Sequence, residues 1–481
     1  MMNRELLAFI TRYVEEIKNN NAVAFIGAGF SKSSGYVDWK NLLNDIAQEL
    51  GLDVSKEQDL VALAQYYCNK SGNRSVINDK IFAEFSEERK ISENHKILAR
   101  LPITTYWTTN YDSLIEDALA EIHKIVDVKH NNSQLSVTRP RRDAVVYKMH
   151  GDKSSPNDTV IIKDDYEKYY RDHAPFLTAL SGDLISKTFL FLGFSFSDPN
   201  IDYILSRIRI DYGQQNQKQH YAIMRKVQRS DFDNDADFEY ASRKHELFIA
   251  DLKRYNINAL LIDDFSEITA ILREIERRIN QKNIFISGSA AEYGDFDRKE
   301  ASEFIQLLSA TLIKKGYNLI SGFGLGVGSD VIIGALNEIY VNCNTVNNDR
   351  LILRPFPQGI EGDDTRNKLW TQYREDMISR AGISIFVFGN KKDGTTGKII
   401  DAGGVMAEYE IAKRYGNLIV PIGCTGYVAE EIWNNIASNL ESFYLGKAGE
   451  QLESAFNRLN VKCDLESMVK NVVDFIALIC K

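Results

Sequence analysis

The sequence predicts an α/β protein of two doubly wound domains, in which helices cover both faces of a parallel sheet. Short apolar runs bounded by glycine, asparagine or charged residues alternate with longer amphipathic stretches along the whole chain. That alternation is typical of buried parallel strands joined by helices. The chain has 481 residues, which is more than one ordinary hydrophobic core supports. We therefore expect two domains of the same architectural class.

The first domain is expected to span residues 1–280. Its amphipathic helical segments include residues 41–50 and 112–122, and a helix rich in Glu and Arg ends it at residues 268–279. A polar stretch at residues 225–244 is either an excursion from the sheet or a long helix. The predicted strands are residues 22–26, 104–108, 145–149, 188–192, 221–224 and 259–262.

The second domain is expected to span residues 281–481, because a new strand and a glycine-containing turn follow at residues 282–287. It repeats the same alternation on a smaller scale, without any sequence repeat of the first domain. The predicted strands are residues 284–286, 318–320, 350–353, 384–388 and 418–422, with helices between them.

Composition excludes several classes of function. The net charge is −9 and no long run of Lys and Arg occurs, so nucleic acid is not an expected partner. The densest basic cluster, Arg139, Arg141 and Arg142, is interpreted as a solvated loop. The five cysteines form no C-x-x-C pair, which excludes a zinc ribbon and fits a reducing compartment. Because neither a signal peptide nor a membrane-spanning apolar stretch is found, we expect a cytoplasmic protein without a membrane partner.

The first strand of the first domain runs into a glycine-rich turn. Gly27, Ala28 and Gly29 follow that strand, and Ser31 comes shortly after. Glycines allow backbone N–H groups to approach a pyrophosphate at the start of a helix. The third glycine of a full dinucleotide motif is missing, so a tight turn without a ligand is the alternative.

Polar residues follow the next three motif-bearing strands of this domain. Asn110 and Asp112 lie where open α/β sheets bind ligands; Asn110 can orient a ribose hydroxyl or a water, and a helix cap is the alternative. His150 ends the next strand, where an imidazole that titrates near neutral pH can act as a base. Gly193 and Ser195 can hold the ribose and adenine side of a dinucleotide, or simply begin a helix.

In their order and context these four motifs resemble the sirtuin family, which binds NAD and cleaves its glycosidic bond. The resemblance covers the predicted first domain and implies that NAD is the substrate, with Asn110 and His150 as catalytic residues and His150 as the general base. The sirtuin zinc ribbon is missing, so water is the expected acceptor, and neither zinc nor another cofactor is expected. The resemblance places Gly27, Ala28, Gly29 and Ser31 at the phosphates, Asp112 near the nicotinamide ribose, and Gly193 and Ser195 beside the adenosine half.

The second domain carries a stronger phosphate-binding pattern. Its first strand is followed by Gly288 and Ser289, and its second strand by four glycines at alternating positions that lead into a helix. Such a loop is typical of a phosphate cradle. The four glycines are Gly322, Gly324, Gly326 and Gly328.

This domain resembles the SLOG superfamily of nucleotide-sensing domains, which is related to the "lonely guy" phosphoribohydrolases. Arg374, Gly404 and Glu408 match the Arg, Gly and Glu of those enzymes, whereas Val405 replaces a Thr. The resemblance therefore implies binding of a ribosyl phosphate rather than its hydrolysis, with Arg374 on phosphate and Glu408 accepting ribose hydroxyls. Lys391 either adds charge to this site or is a solvated loop lysine.

A sirtuin-like domain followed by a SLOG domain resembles the NAD-consuming effectors of the bacterial Thoeris anti-phage system. The resemblance implies that a cyclic ADP-ribose isomer, made by a partner TIR-domain protein, binds the second domain and activates the first. It also implies a homotetramer. Regulation of the hydrolase activity is expected in any case, because an unregulated NAD hydrolase would deplete the NAD of its own cell.

Three other functions fit parts of the pattern. The first is an NAD-dependent protein deacylase with a nucleotide-sensing domain, which the missing zinc ribbon disfavours. The second is a nucleotide sensor without chemistry, which does not need the pair of Asn110 and His150. The third is a nucleosidase in the second domain, which the altered glycine motif before Glu408 disfavours.

Overall fold

The computed structural model describes residues 3–36, 39–57, 59–87, 89–213, 217–342, 350–357, 362–444 and 449–480. The chain divides into two compact units, Met1–Glu276 and Arg277–Lys481, close to the boundary expected at residue 280. Both units are built on parallel sheets with interspersed helices, which confirms the predicted fold class. No helix within these ranges is long and apolar enough to cross a membrane.

The strands of the first unit are β1 (Ala22–Ile26), β2 (Thr105–Thr108), β3 (Val126–Lys129), β4 (Ala144–Lys148), β5 (Thr188–Leu192), β6 (His220–Arg225) and β7 (Ile257–Ile262). Within the described residues they form one parallel sheet in the order β3-β4-β2-β1-β5-β6-β7. The chain builds outward from β1 to one side and then to the other, which is the doubly wound arrangement.

Continuous burial identifies the central strands. Every residue of β1 and β5 is buried, as expected for apolar strands that are covered on both faces. Phe25, Trp107 and Phe191 project from the sheet into one core, where Phe176 and Leu180 pack against them. The helices of this unit are α1 (Arg4–Lys18), α2 (Ala28–Ser31), α3 (Trp39–Leu42), α4 (Asn44–Glu49), α5 (Leu60–Ser71), α6 (Ser75–Ser86), α7 (Glu93–Arg100), α8 (Leu114–Glu121), α9 (Asn132–Leu135), α10 (Lys163–Asp172), α11 (Ala174–Ser186), α12 (Pro199–Tyr212), α13 (Asp235–Leu252) and α14 (Glu267–Asn280), which extends past the division.

Strand β3 was not predicted, because its sequence Val-Asp-Val-Lys carries two charges in four residues. The structure explains why these charges are tolerated in the sheet. Lys129 Nζ lies 2.7 Å from Asp127 Oδ1, both side chains are buried, and Arg142 also pairs with Asp127. Mutual pairing removes most of the penalty of burying a charge, so an edge strand forms where the apolar pattern is weak.

The polar stretch at residues 225–244 is also resolved. Its second half belongs to α13, so a long helix rather than an excursion is correct for that half. Asn234 caps this helix by accepting a hydrogen bond from the N–H of Asp237. The Arg139–Arg142 segment lies in a loop, as interpreted from the sequence.

The strands of the second unit are β8 (Asn283–Ser289), β9 (Asn318–Ser321), β10 (Leu351–Leu353), β11 (Ile383–Phe388), β12 (Asn390–Lys392), β13 (Ile399–Asp401) and β14 (Leu418–Pro421). Over the described part of this unit, five of them form a parallel sheet in the order β10-β9-β8-β11-β14. The helices are α15 (Arg298–Lys314), α16 (Gly328–Asn337), α17 (Asp363–Ser379), α18 (Gly403–Tyr415), α19 (Tyr427–Ala437), α20 (Leu440–Phe443), α21 (Glu450–Asn457) and α22 (Leu465–Ile479).

A small antiparallel hairpin, β12 with β13, was not predicted. It leaves the end of β11, and its first residue, Asn390, is fully buried. The Asn390 side chain accepts hydrogen bonds from the N–H groups of Ala291 and Glu292 and donates one to the carbonyl of Glu292. This buried amide therefore fixes the loop that follows β8.

Candidate active site and nucleotide site

Sheet register brings the four motifs of the first unit to one edge. Thr108 lies opposite both Ile26 and Lys148, and Leu192 lies opposite Ile26 on the other side. The residues that follow these positions leave the sheet at the same level, at the carboxyl ends of parallel strands. That edge is where ligands bind in doubly wound sheets. Asn110 and His150 each lie two residues beyond the paired positions on neighbouring strands β2 and β4.

The two glycine turns of this edge interlock. Gly29 N–H donates to Gly193 O at 3.0 Å, and Gly27 N–H donates to Leu192 O at 2.9 Å. A Cβ on Gly27 would lie 2.5 Å from Gly193 O, and a Cβ on Gly193, where φ is +64°, would lie 2.1 Å from Phe30 N. Side chains are therefore excluded by backbone contact between the two turns. In this arrangement the N–H groups of Gly27 and Gly29 are used within the protein, and α2, which begins at Ala28 and contains Gly29, is one short turn.

Asn110 is held from two directions. Its backbone N–H donates to Thr108 Oγ1 at 2.9 Å, and that hydroxyl donates to Ile26 O at 2.8 Å. Its side-chain Nδ2 donates to Ser31 Oγ at 3.1 Å, so the first and second motifs are in direct contact. The remaining polar atom of the side chain, Oδ1, is buried without a hydrogen-bond partner.

A cavity of about 30 Å³ lies beside Asn110. This volume holds no more than one or two water molecules. Asp112 is also buried and accepts a hydrogen bond from Leu114 N–H at 3.1 Å, which helps to start α8. The residues lining the cavity are Ala28, Ser31, Tyr36, Trp39, Leu42, Phe85, Thr109, Asn110, Tyr111 and Asp112.

His150 is 1% exposed and faces a carboxylate. Its Nε2 lies 3.1 Å from Asp198 Oδ2, although the ring N–H direction is not aligned with that oxygen. Tyr166 and Tyr169 pack edge-on against the imidazole, with ring centroids 5.6 and 6.2 Å away. The other ring nitrogen, Nδ1, has no hydrogen-bond partner.

Asp198 also caps α12. Its Oδ1 accepts hydrogen bonds from the N–H groups of Asn200 and Ile201 at 2.9 and 3.1 Å, and Tyr166 donates its hydroxyl to Oδ2 at 3.3 Å. Burial raises the pKa of the Asp198 carboxyl, but His150 and the two backbone N–H groups more than offset that effect and hold the pKa below its ordinary value. The carboxylate is therefore charged at neutral pH.

Beneath these loops lies a fully buried ammonium group. Lys148 Nζ donates to the carbonyl of Asp112 at 2.6 Å and pairs with Glu116 at 2.9 Å and with Asp152. Burial lowers the pKa of Lys148, but Glu116 and Asp152 outweigh burial and hold the pKa above its ordinary value. This cluster ties the loop after β2 to the segment around His150.

Asp198 and Lys148 were not singled out from the sequence. Asp198 follows two serines and precedes Pro199, which reads as an ordinary helix start, and it is indeed the cap of α12. Lys148 ends an apolar strand, where a lysine is usually solvent-exposed. Asp198 lies beside His150, and Lys148 donates to the carbonyls of Tyr111 and Asp112. Both contacts join residues that are distant in the sequence, so no local pattern predicts them.

The two predicted contact residues of the fourth motif, Gly193 and Ser195, lie in different surroundings. Ser195 is exposed, and its hydroxyl lies 2.7 Å from that of Ser197. Phe196, between them, has a positive φ of +58°, which turns the chain sharply toward Asp198. The structure thus brings Gly193 to the interlocked turns, whereas Ser195 stays at the surface.

The glycine loop of the second unit packs against the turn after β8. A Cβ on Gly324 would lie 2.0 Å from Gly288 O, and a Cβ on Gly326 would lie 2.0 Å from Ala290 O. Gly328 begins α16 and is buried against Phe323. Ser289 uses its hydroxyl to donate to Asn390 O, and Gly322 lies beside Phe356 and Met377.

Arg374 is the cation at the centre of this second site. Its Nε lies 3.4 Å from Glu408 Oε1, and its guanidinium lies over the ring of Phe356 at 5.1 Å. Glu408 also accepts a hydrogen bond from Ser287 Oγ at 2.6 Å. Burial raises the pKa of Glu408, and the contacts with Ser287 and Arg374 act against that effect. A Cβ on Gly404 would lie 2.9 Å from Arg374 Nη2, so a side chain there would require the guanidinium to shift.

Lys391 lies on hairpin strand β12, and its side chain is exposed. No contact in the described structure joins it to Arg374 or Glu408. Over the same described residues, no group of His, Cys, Asp and Glu side chains is arranged to hold a metal ion.

Two family models match the chain. The SIR2-like domain matches residues 104–249, which contain Asn110, His150 and Asp198. The Sir2- and TIR-associating SLOG family matches residues 267–479, which contain Arg374 and Glu408. The first match lies within the first unit, and the second begins at α14 and covers nearly all of the second unit.

Curated relatives are similar over nearly the whole length. The chain is 51% identical to the NAD(+) hydrolase ThsA of Bacillus cereus (strain MSX-D12) over 480 residues, which cover 99% of both proteins. It is 46% identical to the NAD(+) hydrolase ThsA of Acinetobacter baumannii (strain 532279) over 484 residues, which cover 100% of both. A more distant relative, Defense-associated sirtuin 2 of Bacillus subtilis, is 28% identical over 218 residues, or 44% of this chain and 21% of that protein.

Proposed function

Because the chain belongs to the ThsA family of NAD(+) hydrolases, we propose that it hydrolyses NAD in its first unit with Asn110 and His150 as the catalytic residues. The enzyme is an NAD glycohydrolase of the SIR2-like and SLOG type.

One observation carries the assignment of residues. Asn110 Oδ1 and His150 Nδ1 are buried at neighbouring strand ends without hydrogen-bond partners, and Asn200 Nδ2, beside Asp198, is also unpartnered. An unpartnered buried polar atom costs about 1–3 kcal/mol and is kept where function needs it. Ribose hydroxyls and a water molecule are ligands of the right size and polarity to satisfy these atoms.

The chemistry needs a rigid sugar, a water and a base. Departure of neutral nicotinamide leaves an oxocarbenium-like ribose, as in glycoside cleavage generally. Asn110 would hold the ribose or the attacking water, and His150 would take the proton that this water loses. The products are nicotinamide, ADP-ribose and one proton. By the sequence match, the phosphates of NAD would lie near Gly27, Ala28, Gly29 and Ser31.

A variant pair tests this assignment. His150→Ala and Asn110→Ala should each abolish nicotinamide release from NAD, measured by chromatography on the full-length protein. His123→Ala is a matched control, because His123 is exposed and lies in the same unit. Full turnover in either variant would refute the assignment, and NAD consumption that requires an acyl peptide would favour the deacylase instead.

For the second unit we propose a binding site for a cyclic ADP-ribose isomer, the product of a TIR-domain partner. Arg374 is partly desolvated between Phe356 and Glu408, and the glycine at position 404 lets the α18 N-terminus approach it. A phosphate there would gain a charge-assisted contact with Arg374. The family description links these SLOG domains to TIR proteins, which fits a nucleotide signal.

Binding can activate the enzyme only if the ligand favours the open form of the first unit over the closed form. The small volume of the cavity beside Asn110 fits an enzyme whose basal rate is low without a signal. We propose that activation depletes NAD in bacterial anti-phage defence.

A homotetramer is also proposed; exposed apolar side chains on α15, on α16 and in the turn after it would support self-association. They are Leu307, Ile333, Leu336, Tyr340 and Val341.

The activator site is tested by nicotinamide release with and without cyclic ADP-ribose isomers. Arg374→Ala should keep the basal rate and lose the response. Arg380→Ala, which removes an exposed arginine paired with Asp376 at the end of the same helix, should respond normally. A full response in Arg374→Ala would refute this route, and light scattering of the purified protein measures the proposed tetramer.

A further inference from the structure

We propose that Asp198 is a positioning residue that holds His150 with its proton on Nε2, so that Nδ1 is the nitrogen that accepts a proton during NAD hydrolysis. The inference rests on the proposed function, in which His150 is the general base. It assigns a role to Asp198, for which the local sequence predicts only a helix cap.

The geometry identifies the nitrogen. Nε2 of His150 lies 3.1 Å from Asp198 Oδ2, and in a neutral imidazole the nitrogen that faces a carboxylate carries the proton. The other nitrogen, Nδ1, is then the acceptor: neither ring nitrogen has an aligned hydrogen bond within the protein, and Nε2 is the one that lies within ion-pair distance of a carboxylate. Tyr166 and Tyr169 pack edge-on against the ring and limit its freedom to turn over.

The helix cap alone does not require a carboxylate. Asn and Ser cap helices about as well as Asp, because one side-chain oxygen suffices. Here Oδ1 accepts from the N–H groups of Asn200 and Ile201, which leaves Oδ2 to face His150. One oxygen therefore caps α12 and the other orients the base, and only the second task needs negative charge.

The carboxylate also acts during the reaction. When water attacks the ribose, its proton moves to Nδ1 and the imidazole becomes a cation. Asp198 remains ionised and stabilises that cation across the Nε2–H bond, and the proton leaves to solvent after ADP-ribose departs. Charge next to a cation that develops in the transition state increases the rate more than it increases substrate binding.

Asp198→Asn separates the two tasks, because it keeps the cap and removes the charge. We expect kcat for nicotinamide release to fall about 100-fold or more while KM changes by less than about threefold. Asp59→Asn is the matched control, since Asp59 is an exposed cap of α5 that accepts from Ala62 N–H and faces no imidazole. Its activity should equal that of the parent enzyme.

A spectroscopic measurement reports directly which ring nitrogen of His150 carries the proton, which a merely structural role of Asp198 would not alter. In full-length protein labelled with ¹⁵N-histidine, the His150 signals, assigned by their loss in His150→Ala, should show a protonated Nε2 and an unprotonated Nδ1. In Asp198→Asn we expect loss of that preference. Asp198→Glu should restore part of kcat if its longer side chain reaches Nε2.

The outcomes distinguish this inference from the proposed function. Activity in His150→Ala would refute the general base itself. An inactive His150→Ala together with an Asp198→Asn that keeps at least half of the parent kcat would refute only the role of Asp198. A His150 that carries its proton on Nδ1 in the parent enzyme would also overturn the inference.

Discussion

Replacing Lys148 by Met should lower the local stability of the segments that carry Asn110 and His150. The ammonium is fully buried, 2.9 Å from Glu116 Oε1, beside Asp152 and the backbone carbonyl of Asp112. At an effective dielectric constant of about 20, the attraction to Glu116 alone is about 6 kcal/mol, partly offset by desolvation. Removing the cation leaves two carboxylates without their partner, so we expect a loss of about 3–5 kcal/mol in local stability.

Hydrogen–deuterium exchange of the full-length protein measures this loss strand by strand. Amides of β2 and β4 should exchange about two to three orders of magnitude faster in Lys148→Met, because each 1.4 kcal/mol corresponds to about tenfold. Nicotinamide release should fall in parallel, since the loops that carry Asn110 and His150 lose their common anchor. Lys96→Met is the control: Lys96 lies 3.0 Å from Glu121 in an exposed pair, and it should change stability by less than about 1 kcal/mol.

The triple variant Lys148→Met, Glu116→Gln, Asp152→Asn adds a second test. Removing both carboxylate charges should recover most of the lost stability, because the penalty comes from unpaired buried charge rather than from lost volume. Activity should recover less, since a methionine at position 148 cannot donate to the carbonyls of Tyr111 and Asp112. Exchange within tenfold of the parent and unchanged turnover in Lys148→Met would refute the argument.

Three further predictions concern other parts of the first unit. Burial lowers the pKa of His95 from 6.5 to about 4, so below pH 6.5 the unfolded chain binds a proton that the folded chain does not; stability should fall by about 3 kcal/mol between pH 6.5 and 4. Urea unfolding of His95→Gln should show a smaller fall. Gly193→Ala should prevent normal folding, because a Cβ at that position would lie 2.1 Å from a backbone nitrogen. Gly182→Ala is the control: a Cβ there meets open space, so the substitution should be neutral or stabilising. Thermal unfolding of the two variants measures the difference. Thr108→Val removes the hydroxyl that accepts the N–H of Asn110 and should lower nicotinamide release without altering the circular dichroism spectrum; an unchanged rate would contradict this role.

Sequence reasoning located Asn110 and His150 because both follow apolar strands, and parallel strands bring their carboxyl ends to one edge. It could not give the order of the strands. The contact between Gly29 and Gly193 depends on β1 lying next to β5, and nothing in either turn predicts that neighbour. Ligand contact and a tight turn without a ligand were both open for the first glycine pair, and the structure shows that close packing between the two turns already excludes side chains there.

The burial of charged residues in the sheet could not be predicted from the sequence either. Asp127, Lys129 and Lys148 interrupt or end apolar runs, and local pattern favours loop or solvent for such residues. Asp127 and Lys129 pair with each other, but Asp127 also pairs with Arg142 and Lys148 pairs with Glu116, which lie elsewhere in the sequence. A single sequence does not reveal such pairings, so β3 and the cluster around Lys148 could be found only in three dimensions.

The interlocked turns have a consequence for exchanging segments between relatives. Gly27 and Gly193 meet through backbone atoms, so neither turn can adjust to a foreign partner by repacking side chains. A chimera that imports the turn after β1 without the turn after β5 would join two loops shaped for different neighbours. The two segments thus behave as one transplantable module, although they are separated by more than half of the unit's sequence.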